Sequence, residues 1–278
     1  MPYSKNIFKI YSKEILLIVL MIAVSLPTIL WMSDRWFEES SYYSHGILVP
    51  FVTFFLIWRK RDVLKKMQPE TSPWGFSLFI LGIFLYWISA LIHVYFTSGF
   101  SMLIVTIGLV LHFYGSKILK EILFPLLFLV FMIPLPLIVV AFICFKLKII
   151  AAHIATFILN MIGLQATQES SLIKMQHSYV LVEDSCGGLR SLVSLTALGS
   201  IFAYQLRSGL VRKLVLLVSA IPIATISNAC RIVFLSAVGE IWGSQYTQGV
   251  LHEFSGYMVF AVAFLFLFAV KKLLEKGL

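Results

Sequence analysis

The sequence contains few charged residues, few cysteines and no repeated or low-complexity tract. Charged residues make up 13% of the 278 residues, whereas 60% are hydrophobic. Water cannot solvate so much apolar surface, so this composition excludes an ordinary soluble domain and predicts a membrane protein. Three cysteines are too few and too widely spaced for a disulfide framework. Cys144 and Cys230 lie within apolar runs, where we expect small buried side chains.

Sequence patterns for other partners are missing as well. Neither an HExxH nor a CxxC spacing occurs, so a zinc site built from Cys186, His252 and His45 is the weaker chemistry, and we expect no metal or other cofactor. The net charge of +9 does not predict nucleic-acid binding, because the basic residues fall between apolar segments, where membrane topology explains them. No small-residue cleavage pattern follows the first apolar run, which favours an uncleaved helix over a signal peptide.

Long apolar runs predict helices that cross the membrane, since about 20 residues span the hydrocarbon. We predict a single domain over residues 1–278, an all-α integral membrane fold with eight spanning helices. Pro134 and Pro136 interrupt the fifth helix. The predicted spans are residues 15–33, 45–58, 75–96, 100–115, 121–140, 187–206, 210–238 and 251–271.

Basic residues predict the orientation of these helices, because lysine and arginine collect in cytoplasmic loops. Most of the 22 basic residues lie at the two ends, after helix two, before helix five and between helices seven and eight. Both termini are therefore predicted to be cytoplasmic. With this orientation helix five ends outside and helix seven starts outside, so the segment between them cannot cross the membrane. Residues 146–164 are therefore predicted to form an amphipathic helix in the outer interface. Residues 165–185 are predicted to form an outer loop with a small hairpin.

Three chemically capable residues are predicted to meet at the outer face. Cys186 begins helix seven within "VLVEDSCGGLRSL", Arg231 lies in the outer half of helix eight within "SNACRIVFL", and His252 begins the last helix within "LHEFSGYMVF". An ionisable residue inside a membrane segment is costly and suggests a function. A thiol, an imidazole and a guanidinium together supply a nucleophile, a base and an oxyanion stabiliser.

Other residues are predicted to support this set. Gly187 and Gly188 allow a close backbone approach and expose amides at a helix start. Asn228 lies one turn before Arg231, where its amide can hold the guanidinium. His45 opens helix two from the outside, although its tyrosine-rich surroundings also fit an aromatic belt at the interface.

Five segments in order resemble the exosortase family, the bacterial relatives of the archaeosortases. They are "YSHGILVPFVTFFLIWRKR", "FPLLFLVFMIPLP", "VEDSCGGLRSL", "NACRIVFL" and "HEFSGYMVF", and together they cover residues 42–260. The resemblance implies a cysteine transpeptidase with its site at the outer face of the bacterial cytoplasmic membrane. It implies a catalytic triad of Cys186, Arg231 and His252, with Arg190 characteristic of the cysteine motif. Gly187 is a departure, since the family usually has serine there, and we see no additional C-terminal domain.

The resemblance also implies the partners. The substrates are proteins ending in a sorting signal of the PEP-CTERM type: a proline-containing motif, a transmembrane helix and a basic cluster. An acceptor amine or water completes the reaction, and membrane lipid surrounds the enzyme. Two other functions remain open from the residues alone. One is a transporter or lipid-handling protein that uses Arg231 for an anionic group, and the other is a scaffold of a polysaccharide export system.

Overall fold

A computed structural model describes residues 3–38, 41–182, 188–243 and 250–276. For residues 3–18, 250, 252 and 253 it describes the backbone only. Most of the described chain is α-helical. The described chain forms two compact units: the first contains residues 3–38 and 44–134, and the second contains residues 41–43 and the described residues from 135 onward.

The first unit contains five α-helices within its described residues, and two short 3-10 segments, Ser44–Ile47 and Leu129–Met132. Helix α5, Tyr95–Phe128, is broken at Gly115, whose φ of 80° and ψ of 178° are not helical. The predicted helix 100–115 therefore corresponds to the part of α5 before the break, and the predicted helix 121–140 begins in the part after it. The helices are α1 (Tyr3–Phe37), α2 (Leu48–Arg59), α3 (Arg61–Leu64), α4 (Pro73–Leu91) and α5 (Tyr95–Phe128).

Small residues bring α4 and α5 into close contact. The buried residues of α4 are Gly75, Gly82 and Ser89, which recur every seven residues and so follow one face of the helix. A Cβ atom on Gly82 would lie 2.7 Å from a side-chain carbon of Val105, and one on Gly108 of α5 would lie 2.6 Å from the backbone nitrogen of Phe79. Helices in a membrane associate through such small residues because they allow the backbones to approach.

We predict that Gly108→Ala destabilises the first unit by about 1–3 kcal/mol, the usual range for overpacking. The new methyl group would press on the α4 backbone, and this outweighs the better helix propensity of alanine, which is worth about 1 kcal/mol. Thermal unfolding of the purified protein in detergent measures the effect. Gly209→Ala is the matched control, because no atom lies within 4 Å of a Cβ at that position. Equal melting temperatures for the two variants would contradict the packing argument.

The second unit contains four helices and a small sheet in its described residues. The sheet is antiparallel, in the order β1-β2-β3, with Leu172 paired to Glu169 on one side and to Leu181 on the other. It forms where the sequence predicts a hairpin, with one strand more than a hairpin has. The elements are α6 (Leu137–Met161), β1 (Thr167–Glu169), β2 (Leu172–Lys174), β3 (Tyr179–Leu181), α7 (Leu189–Gln205), α8 (Leu210–Trp242) and α9 (Val250–Lys276).

Two apolar cores hold the second unit together, and α8 contributes to both. In one core, Ile173 of β2 and Val182 pack with α6 and with Ile232 of α8. In the other, residues of α7, α8 and α9 pack together, including Leu216 and Leu267, which are completely buried. Helix α8 is thus the element against which the sheet, α6, α7 and α9 are all placed.

The prediction for residues 121–164 is wrong in its boundaries. Ile133 and Pro136 are extended, so the helical backbone stops before the two prolines and α6 begins directly after them. A residue before proline avoids the helical conformation, and proline lacks the amide that a helix needs. The predicted interfacial helix 146–164 is therefore not a separate element, because most of it belongs to the 25-residue α6.

The predicted count of eight spans is not confirmed. Among the described residues, five helical stretches are long and apolar enough to cross a membrane, and α6 is one of them. They identify a membrane protein by length and composition. The stretches are Pro73–Leu91, Tyr95–Met132, Leu137–Met161, Leu210–Trp242 and Phe254–Lys276.

Candidate functional site

Asn228 of α8 packs against the start of α7. Its side chain is buried, with 2% of its surface exposed. Gly188 is the residue that precedes α7, and its φ of 81° lies in the left-handed region that favours glycine. A Cβ atom on Gly188 would lie 3.1 Å from the side-chain Cγ of Asn228. Both the backbone conformation and the close approach therefore require glycine at this position.

Arg231, one turn further along α8, contacts α9. Its Nε donates a hydrogen bond of 3.0 Å to Oγ of Ser255. A Cβ atom on Gly256 would lie 3.5 Å from a terminal guanidinium nitrogen, so α9 also has a small residue where the arginine passes. Ser255 is itself buried, at 5% exposure. The hydrogen bond fixes the orientation of the guanidinium relative to α9.

These two contacts bring together the described neighbours of the other predicted catalytic residues. Cys186 and Gly187 lie outside the described residues, and Gly188 follows directly after them. His252 belongs to α9, one turn before Ser255, and its side chain is not described. The chain next to Cys186 and the chain next to His252 therefore reach adjacent turns of α8, at Asn228 and Arg231.

Arg190 holds a distant part of the chain. Its Nε donates a 2.7 Å hydrogen bond to the backbone oxygen of Ser41, and the backbone amide of Leu135 donates to the Tyr43 hydroxyl at 3.2 Å. Burial raises the pKa of Tyr43, so this phenol stays neutral. The resemblance grouped Arg190 with the cysteine motif as a supporting residue, and its hydrogen bond to Ser41 holds the segment before Tyr43 beside α7. His45 lies in the first unit, in the 3-10 segment Ser44–Ile47.

The two described cysteines have opposite surroundings. Cys144 is buried, as expected, but Cys230 is exposed, so the prediction of a buried side chain is wrong there. Cys230 lies next to Arg231 in the wall of a groove of about 560 Å³ between α8 and α9. Its position within an apolar run does not reveal this exposure, because a helix facing lipid is apolar on its outer side too.

Glu240 is a structural residue that the sequence argument missed. Its carboxylate accepts hydrogen bonds from the backbone amide of His177 at 2.9 Å and from the Ser178 hydroxyl at 2.7 Å. Nδ1 of His177 lies 2.9 Å from the same carboxylate, whose side chain is only 9% exposed. Glu240 thus fastens the turn between β2 and β3 to α8. An acid inside an otherwise apolar helix is the feature that would have revealed it.

We predict that Glu240→Ala loosens the turn between β2 and β3. The change removes the acceptor for several hydrogen bonds, and one bond to a charged group contributes about 1.5–3 kcal/mol. Hydrogen exchange of residues 175–181 in detergent should therefore accelerate by about tenfold or more, because 1.4 kcal/mol corresponds to a factor of about ten.

Glu169→Ala is the control for this experiment. It also removes a carboxylate of the sheet, but its ion pair with Lys174 is well exposed, with 47% and 62% of the two side chains accessible. Exposed ion pairs contribute about 0–1 kcal/mol, so exchange should change little. Equal exchange in the wild type and Glu240→Ala would show that Glu240 does not hold the turn.

Comparison with known proteins agrees with the resemblance seen in the sequence motifs. A family model described as a transmembrane exosortase matches residues 31–269, which include Arg190, Asn228, Arg231 and His252. Neither the curated proteins nor the solved structures contain a match to the chain. The helices define a membrane protein of several apolar segments. The match covers most of its length, and the chain belongs to the exosortase family.

Proposed function

We propose that this protein is a membrane-embedded cysteine transpeptidase that cleaves C-terminal sorting signals of the PEP-CTERM type. The observation that carries the proposal is the pair of contacts on adjacent turns of α8. Asn228 packs against Gly188, two residues after Cys186, and Arg231 bonds to Ser255, one turn after His252. Membership of the exosortase family supports it.

The proposed reaction passes through a thioester. The thiolate of Cys186 attacks the scissile carbonyl carbon, and His252 accepts the thiol proton. The tetrahedral intermediate collapses as the carbon–nitrogen bond breaks, and His252 returns the proton to the leaving amine. An acceptor amine or water then attacks the thioester, which releases Cys186 and yields a transferred or hydrolysed product.

Arg231 is proposed to stabilise the oxyanion of the tetrahedral intermediate. Its guanidinium is charged at every physiological pH and carries several donors in a fixed plane. The hydrogen bond from Nε to Ser255 orients that plane, which matters because an oxyanion stabiliser acts only if it is already in position. The buried Asn228 beside Gly188 is proposed to set the start of α7, and with it the segment that carries Cys186.

We predict that Cys186→Ala abolishes processing when the protein is coexpressed with a substrate that carries a PEP-CTERM sorting signal. His252→Ala should reduce processing to a similar level. Arg231→Ala should slow it by about 100-fold or more, the usual effect of losing an oxyanion donor. Immunoblots of the substrate's precursor and product measure the rate. Cys144→Ala, a change at a buried cysteine of α6, should process normally. Normal processing by Cys186→Ala at equal expression would exclude the mechanism.

We also propose that the site faces the outside of the cytoplasmic membrane, with both termini inside. We predict that a variant with Cys186 as its only cysteine reacts with a membrane-impermeant thiol reagent in intact cells, once the protein is unfolded in place. A Lys276→Cys variant without the three native cysteines should react only after the cells are permeabilised. Labelling of Lys276→Cys in intact cells, or of Cys186 only after permeabilisation, would reverse the orientation.

A transporter or lipid-handling function is the alternative, and the groove between α8 and α9 favours it because Arg231 lines an apolar surface there. In that case Cys186→Ser leaves the function intact, whereas Arg231→Lys impairs it. In the peptidase, Cys186→Ser removes the thiolate and abolishes processing. The two variants therefore separate the two functions.

A further inference from the structure

Helices α8 and α9 border an apolar groove of about 560 Å³. Every described residue in its wall belongs to one of these two helices, and among these described side chains only that of Arg231 is charged. The α8 residues recur every three or four positions, which places them on one face of the helix. The walls are formed by Ile223, Ile226, Ser227, Cys230, Arg231 and Phe234 of α8 and by Leu251, Phe254, Ser255, Met258, Val259, Val262 and Phe266 of α9.

The groove changes in polarity along its length. Arg231, Cys230 and Ser255 lie at one level, and Ser227 lies one turn further along. Beyond them, toward the end of α9 that carries Phe266, the lining side chains are all apolar, and on the other side of Arg231 the lining ends within about one turn, at Phe234, Leu251 and Phe254. A ligand that matches the groove is therefore polar where it meets Arg231 and apolar over the remaining length.

The groove is continuous with the candidate site, because Arg231 and Ser255 belong to both. On α9 the lining from Ser255, at the level of Arg231, to Phe266 is about 16 Å of helix. That length is roughly half of the hydrocarbon thickness of a membrane. The small side chains of Ser227, Cys230 and Ser255 also leave room for another helix backbone to approach.

We propose that this groove holds the transmembrane helix of the substrate's sorting signal, with the polar cleavage motif at the level of Arg231. The inference rests on the proposed peptidase function and adds the place where its substrate binds. A sorting signal has the same order of chemistry as the groove, a polar motif followed by an apolar helix. A helix in this groove presents the peptide bond before it to the turn of α8 that carries Arg231.

A phospholipid fits the groove less well than a peptide does. A lipid phosphate lies at the membrane surface, and we infer that this surface is level with the polar turn that Glu240 holds. Arg231 precedes Glu240 by nine residues, so it lies about 13 Å further along the helix axis. A lipid phosphate at the surface is too far away to meet the guanidinium, whereas an extended peptide reaches that depth.

Disulfide crosslinking in native membranes tests the position of the substrate helix. The enzyme carries Cys144→Ala and Cys186→Ala, so Cys230 is its only thiol and the bound substrate is not processed. Single cysteines are placed through the outer half of the substrate's transmembrane helix. We expect crosslinks to Cys230 from one face of that helix. The control enzyme has Cys230→Ala and Tyr257→Cys, since Tyr257 is 76% exposed on α9 and does not line the groove. Absence of crosslinks to Cys230, or equal crosslinking to both enzymes, would overturn the proposal.

An activity measurement completes the test. Met258→Trp places a large ring in the groove, and we expect the rate of processing to fall about tenfold or more while expression is unchanged. Leu265→Trp is the matched control, because Leu265 is 62% exposed on the same helix and lies outside the groove. If processing requires Cys186 and both tryptophan variants match the wild type, the groove is not the substrate site. A groove that binds lipid would give this result. If the wild type and Cys186→Ala process the substrate equally, the peptidase function itself fails.

Discussion

The hydrogen bond from Arg231 to Ser255 is the interaction on which the candidate site depends. A guanidinium inside an apolar helix is costly, and its cost falls when a partner accepts its hydrogen bonds. Here one partner is on α9, so the need to satisfy the arginine fixes α9 relative to α8. The turn of α9 that carries His252 then has a defined position along the axis of α8. A residue proposed for catalysis thus also determines how two neighbouring helices are aligned.

Small side chains make this alignment possible. Gly188 leaves space for the side chain of Asn228, and Gly256 lies beside the guanidinium of Arg231. Small residues also join α4 and α5 in the first unit, where glycines allow the two helix backbones to come into contact. Membrane helices gain little from burying apolar surface against each other, since lipid is equally apolar, so close backbone packing takes a larger share of their stability.

The sequence predicted several helices well because hydropathy responds directly to apolar runs. The predicted 210–238 and 251–271 differ by a few residues from Leu210–Trp242 and Val250–Lys276. It failed at Pro134 and Pro136, where the composition stays apolar although the backbone ceases to be helical. An average over side chains does not detect that change. The single-domain prediction is untested, although the chain forms two compact units.

The sequence suggests which residues form the candidate site, and their surroundings come only from the structure. Motif order predicted the family, and Asn228 and Arg231 contact Gly188 and Ser255, which are described neighbours of Cys186 and His252. Cys230 and Glu240 were not anticipated, because their significance depends on which face of α8 each occupies and what packs there. The contact of Arg190 with Ser41 joins residues 149 positions apart, and no local pattern encodes such a pair.

The sheet and the start of α7 are both attached to α8, at Glu240 and at Asn228. The chain between them, which carries Cys186, is therefore anchored at each end to one helix. With 33 residues, α8 is about 50 Å long and exceeds the hydrocarbon thickness of about 30 Å, so it must tilt or protrude. The amount of tilt or protrusion changes when the thickness of the bilayer changes. The sheet and the start of α7 then move together with α8. Membranes of different thickness would then alter the depth of the site while its internal geometry stayed the same.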